Sequence, residues 1–149
     1  MNKNVLDLIA QLRSPDYKKQ AEAAEMLGEI ADKAAEDALL KCFSAETYSL
    51  ISQEGNPDRY YTIISSAAKA LAKLNTDKAY HALVKKIRDN ERLDQLGVAA
   101  AVYGLAFSPR PGTDKILQAI KPKTEAASGQ HLADEIKKAL SKLANNNLA

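Results

Sequence analysis

Residues 23–43 read AAEMLGEIADKAAEDALLKCF, and residues 67–87 read AAKALAKLNTDKAYHALVKKI. At an offset of 44 they match without a gap in their apolar and small positions: Ala23 with Ala67, Leu27 with Leu71, Ile30 with Leu74, Ala35 with Ala79, Ala38 with Ala82, Leu39 with Leu83, Leu40 with Val84, and Phe43 with Ile87. Recurrence of this kind marks a chain built from stacked units, each too small to bury its own apolar stripe. The apolar residues fall three and four apart, the spacing of one helix face.

The same periodicity extends outward in both directions. Val5, Leu6, Leu8, Ile9 and Leu12 form the stripe of a short first helix, and Ser14-Pro15-Asp16 is a cap-and-proline start signal for a second. Asp32-Lys33 marks a turn before a helix over 34–43. The Gly55-Asn56-Pro57-Asp58 string is a strong breaker. Helices are predicted from about Asp58 to Leu74, after Asn75-Thr76-Asp77, from Glu91 to Phe107, from Thr113 or Asp114 to Ile120, and from about Thr124 to Leu143. Leu27, Leu71, Tyr103 and Leu140 take equivalent places, so the unit is about 32 residues long and the second unit carries extra sequence. The chain reads as one domain over 1–144, with an insert at about 44–58 and a polar tail over 145–149. The outward faces of the end helices are expected to be polar.

The bulk numbers exclude several classes. Net charge is +2, with −2 on residues 1–74 and +4 on residues 75–149, too little for a strong nucleic-acid signal. One cysteine, Cys42, rules out an intrachain disulfide framework. No apolar run reaches the roughly 18 residues of a membrane span, and no N-terminal stretch resembles a signal peptide. A cytoplasmic protein without membrane attachment is the expectation.

The Ala-Ala-x-x-Leu-Gly string at Ala23–Gly28, echoed at Ala67–Ala72 and Ala99–Gly104, resembles the short bacterial-type HEAT-like repeats of the phycobilisome-lyase type. Ser14-Pro15-Asp16 is similar to that family's inter-helix turn. The resemblance covers about residues 5–143. It implies an all-α fold, a short right-handed α-solenoid of about four HEAT-like helix pairs whose second helices line a concave surface. The family's Val-Arg pair early in the second helix is replaced here by Lys19-Gln20, Ile63-Ile64 and Gln95-Leu96, so its bracing arginine is missing each time.

Chemistry-bearing motifs are sparse. His81 and His131 are isolated and cannot assemble a metal site alone. Cys42 lies on an apolar helix face and reads as a packing residue. There is no P-loop, dinucleotide fingerprint or serine elbow. No catalytic residue, metal or cofactor is assigned, and a non-enzymatic role is favoured. The basic groups Lys85-Lys86-Arg88, Lys121-Lys123 and Lys137-Lys138-Lys142 read first as solvated surface.

The candidate partner-binding residues come from the first turns of the second helices and from the insert: Tyr17, Tyr48, Arg59, Tyr60, Tyr61, Ile64, Arg92 and Leu96. Tyrosine and arginine dominate binding hot spots. Local packing against the insert or the next unit is the competing reading of the same residues. The expected function is a protein-interaction scaffold or regulatory adaptor, acting through the concave face and the insert. One alternative is a bilin lyase-like or chromophore-handling module, with Arg59 or Lys18 pairing propionates. A second is nucleic-acid binding through the basic C-terminal half. A homodimer through the insert is a further option.

Overall fold

The computed structural model describes residues 3–44 and 57–146. Among these the chain is helical and contains no strand. The helices are α1 (Lys3–Gln11), α2 (Tyr17–Ile30), α3 (Glu36–Cys42), α4 (Pro57–Leu74), α5 (Asp77–Asp89), α6 (Gln95–Leu105), α7 (Thr113–Gln118) and α8 (Ala127–Asn145). Short 3-10 turns at Lys33–Ala35 and Arg92–Asp94 lead into α3 and α6. The rest of the insert, including Tyr48, lies outside the described residues.

Local chemistry sets most helix ends. The Asp16 carboxylate accepts from the Lys18 N–H at 3.0 Å, and Thr76 Oγ1 accepts from the Ala79 N–H at 3.0 Å. Both satisfy amide groups that have no partner within their own helix. Helices α2 and α5 end on Ala31 and Asn90, both in the left-handed region. Helix α7 has no side-chain cap. Thr113 instead closes the turn before it: its hydroxyl donates to the Arg110 carbonyl at 2.7 Å and accepts from the Arg110 N–H.

Packing divides the helices into two layers. In one, α2 lies on α4, α4 on α6, and α6 on α8. In the other, α1 covers α2, α3 covers α4, α5 sits over α4 and α6, and α7 covers α8. Leu27, Leu39, Ile64, Leu71, Leu83, Leu105, Leu117, Leu132 and Leu143 are buried between the layers. Helix α6 is buried on almost every side, from Gln95 through Leu105, with only Leu96 and Tyr103 partly exposed. An all-round apolar helix is what the centre of a bundle requires.

Two glycines allow the first layer to close. A Cβ at Gly28 would lie 2.8 Å from the Ala70 Cα, and one at Gly104 would lie 2.8 Å from the Ala68 carbonyl oxygen. Early in α2, α4 and α6 the contacts differ from one helix to the next. Ile64 is fully buried, and the Gln20 amide donates to the Leu12 carbonyl at 2.8 Å. The Gln95 amide donates to Asn90 Oδ1 at 2.8 Å and accepts from the Lys123 N–H at 2.8 Å.

The two ends of the stack differ. Helix α8 turns Gln130, Asp134, Lys137 and Ser141 outward, as expected. The α1–α2 end departs from that expectation. Met26 is 53% exposed, Ile30 43% and Leu6 51%. Met26 and Ile30 lie about 200° around α2 from Gly28, which meets α4, so no other helix covers them.

Candidate functional site

The structure separates the candidate residues of the second helices. Tyr60 is 2% exposed and Ile64 is fully buried, so both are core. The Tyr60 hydroxyl donates to Asp94 Oδ1 at 2.7 Å. The other Asp94 oxygen accepts from Lys86 Nζ at 2.8 Å, and Oδ1 also caps α6 through the Gly97 N–H at 3.0 Å. This buried carboxylate ties α4, α5 and α6 together with every contact satisfied, so it is a staple rather than an open site. Tyr17 is half-buried under the Arg59 guanidinium, 5.0 Å from its ring centroid. Arg92 is exposed beside the 81%-exposed Leu93, and Leu96 is half-buried. Tyr17–Arg59 is thus one local pair. Tyr61 belongs to a different group.

Tyr61 lies one residue past Tyr60, about 100° around α4, and faces the open side of the first layer. There its ring meets the His131 ring edge-on at 4.3 Å between centroids. Its hydroxyl is shut off from solvent beside Glu135 without a well-aligned hydrogen bond. Burial pushes that hydroxyl well above the ordinary tyrosine range, and the Glu135 charge and Tyr103 push it further. His131 Nε2 is buried too, with no partner among the described residues. Buried polar atoms are ordinarily paired, so two together need an explanation.

Beside them is a cleft of about 200 Å³ lined by Tyr103, Ala106, Phe107, Glu135, Lys138, Ala139 and Lys142. Tyr103 and Phe107 pack edge-to-face at 5.0 Å. Lys142 Nζ lies 4.0 Å from the Phe107 ring centroid and Lys69 Nζ 4.9 Å. Lys138 sits 3.9 Å from Glu135. The floor is aromatic and the rim is cationic, with one carboxylate set deep. Such a surface suits an apolar side chain that carries or adjoins an anionic group.

The face continues toward α2 as ion pairs. Lys69 pairs with Glu25 at 3.3 Å, and Lys73 pairs with Glu29, which holds the Glu29 carboxyl below its ordinary range. Sequence reasoning missed Tyr103, Phe107, Glu135 and Lys69 as site residues. The available signal was spacing: Tyr103 and Phe107 are four apart, and Glu135, Lys138 and Lys142 share one face of α8.

No group of histidine, cysteine and acidic side chains among the described residues could hold a metal ion. None of the described helices is long and apolar enough to cross a membrane. No protein-family model matches the chain, and no curated protein matches it.

Proposed function

We propose that this chain is a short right-handed α-solenoid of four HEAT-like helix pairs that acts as a protein-binding scaffold. The observation that carries the reading is the cleft around Phe107 on the open face of the α2–α4–α6–α8 layer. It combines an aromatic floor of Tyr103 and Phe107 with a cationic rim of Lys138 and Lys142 around the Glu135 carboxylate. The helix-pair reading is supported by the alternation of consecutive helices between two layers, and by ion pairs that join residues 44 apart.

The partner segment presents an apolar side chain to Phe107 and Tyr103 and an acidic group to Lys138 and Lys142. A volume near 200 Å³ fits one or two side chains and falls below the roughly 300–1,000 Å³ of small-molecule pockets, which favours a peptide over a tetrapyrrole. The adjoining Glu25–Lys69 and Glu29–Lys73 pairs neutralise the face toward α2, which argues against a phosphate track.

The test is a photo-crosslinking residue placed at Lys138 in cells of the native host. A captured protein should be lost with Phe107→Ala and with Lys142→Glu, and retained with Lys137→Glu, which lies off the cleft. Capture that ignores Phe107 and Lys142 counts against the reading.

A further inference from the structure

A second surface, on the opposite layer, is formed where α5 and α7 fail to close on one another. Each packs on the first layer, α5 on α6 and α7 on α8. Between them lies a groove of about 530 Å³, lined by Ile87, Ile116 and Ile120 with Arg88, Lys115 and Lys123. Ile87 is buried and forms the floor, while Ile116 and Ile120 are half-buried.

Polar clamps hold the groove open at both ends. At the start of α5, Arg110 Nη1 donates to Asp77 Oδ1 at 2.8 Å, and its guanidinium covers the Tyr80 ring at 4.3 Å. At the end of α5, the Asn90 amide donates to the Lys121 carbonyl at 2.9 Å, and Gln95 accepts from the Lys123 N–H. These contacts fix the spacing of α5 and α7 before anything binds, so little ordering cost remains.

The charges on the rim are of one sign. Arg88, Lys115 and Lys123 are exposed, and none forms an ion pair among the described residues. The nearest acid along α5, Asp89, is already held by Lys85 at 2.7 Å. Among the described residues no carboxylate lines the groove.

We infer that this groove docks a short acidic, amphipathic segment of a partner protein, with apolar side chains on the three isoleucines and carboxylates on Arg88, Lys115 and Lys123. A nucleic acid fits less well. Its phosphates could meet the cations, but no aromatic ring lines the groove for base stacking, and the isoleucines would stay uncovered. A groove of about 530 Å³ takes two or three side chains. The groove is separate from the Phe107 cleft, so either can fail alone.

The probe is a synthetic peptide of about twelve residues with leucines three and four apart and glutamates between them, titrated into the isotopically labelled protein. Methyl shifts should move at Ile116 and Ile120 and stay fixed at Ala106 and Ala139 in the other cleft. Lys115→Glu and Arg88→Glu, both exposed changes, should each weaken binding by about tenfold, and Lys137→Glu should not. A peptide with lysines in place of the glutamates should not bind. The inference is overturned if the acidic peptide moves no groove methyl up to ~1 mM. It is equally overturned if the charge reversals leave affinity unchanged, or if a single-stranded oligonucleotide displaces the peptide with higher affinity. Unchanged melting of the variants separates lost docking from lost fold.

Discussion

Glu25 and Lys69 hold the same position in the two matched segments and are joined by an ion pair of 3.3 Å across α2 and α4. The pair bridges the two matched segments and bears on the register of α2 against α4. Lys69 also leans on Phe107, two residues past the end of α6, so one side chain in α4 meets both α2 and the α6 terminus. Glu25 is 54% exposed, and exposed pairs are weak. A double-mutant cycle with Glu25→Lys and Lys69→Glu should give a coupling of about 0.2–1 kcal/mol in urea unfolding. The charge-swapped double variant should recover most of what each single variant loses. Additive losses would remove the pair from the account of register.

Asp94 should be the most costly single polar residue to replace. It is 5% exposed and meets Tyr60, Lys86 and the Gly97 N–H. Asp94→Ala strips partners from a partly buried lysine and a buried hydroxyl, and removes the cap of α6. A loss of about 3–5 kcal/mol is expected from denaturant unfolding. That approaches the whole stability of many domains of this size. A change below 1 kcal/mol would mean that water replaces the carboxylate there.

How much of this could be read from the chain depends on the distance over which each feature acts. The Asp16 and Thr76 caps act within three residues, so the turn chemistry around them was readable. Leu27 and Leu71 were readable as core because the helical period repeats them. Tyr60 and Tyr61 were not separable: composition is identical, and one helical step of about 100° sends one to Asp94 and the other to His131. The Tyr60–Asp94 contact spans 34 residues in sequence, and the Phe107 cleft exists only once α6 and α8 are packed together. The exposed Met26 and Ile30 contradict the rule of polar ends, which concerns finished surfaces rather than any local pattern.

Cys42 should titrate late and react slowly. It is 7% exposed, and burial pushes its thiol from 9.0 to about 11. The raised value means that the unfolded chain releases the proton first. Stability is therefore complete below pH 9.0 and falls as pH rises toward about 11, by at most about 2–3 kcal/mol. Cys42→Ala should flatten that part of the alkaline slope. Stoichiometric labelling of the native protein within seconds at pH 8 would contradict the burial.

Gly104 tests the close approach of α4 and α6. Gly104→Ala places a methyl 2.8 Å from the Ala68 carbonyl oxygen, which is backbone and cannot swing aside. The helices must separate, at a cost of about 1–3 kcal/mol, despite alanine's better helix propensity. Stabilisation by this substitution, read from thermal melting, would show that the contact relaxes freely.

The two adjacent tyrosines give the sharpest contrast. The Tyr60 hydroxyl donates to a buried carboxylate, so Tyr60→Phe should cost about 1.5–3 kcal/mol. The Tyr61 hydroxyl is buried beside Glu135 without a well-aligned bond, and its removal relieves a desolvated group. Tyr61→Phe should leave stability unchanged or raise it slightly, with the edge-on contact to His131 preserved. The fold satisfies the Tyr60 hydroxyl through Asp94 and leaves the Tyr61 hydroxyl without a comparable bond. Equal destabilisation by both substitutions would make Tyr61 a second structural staple.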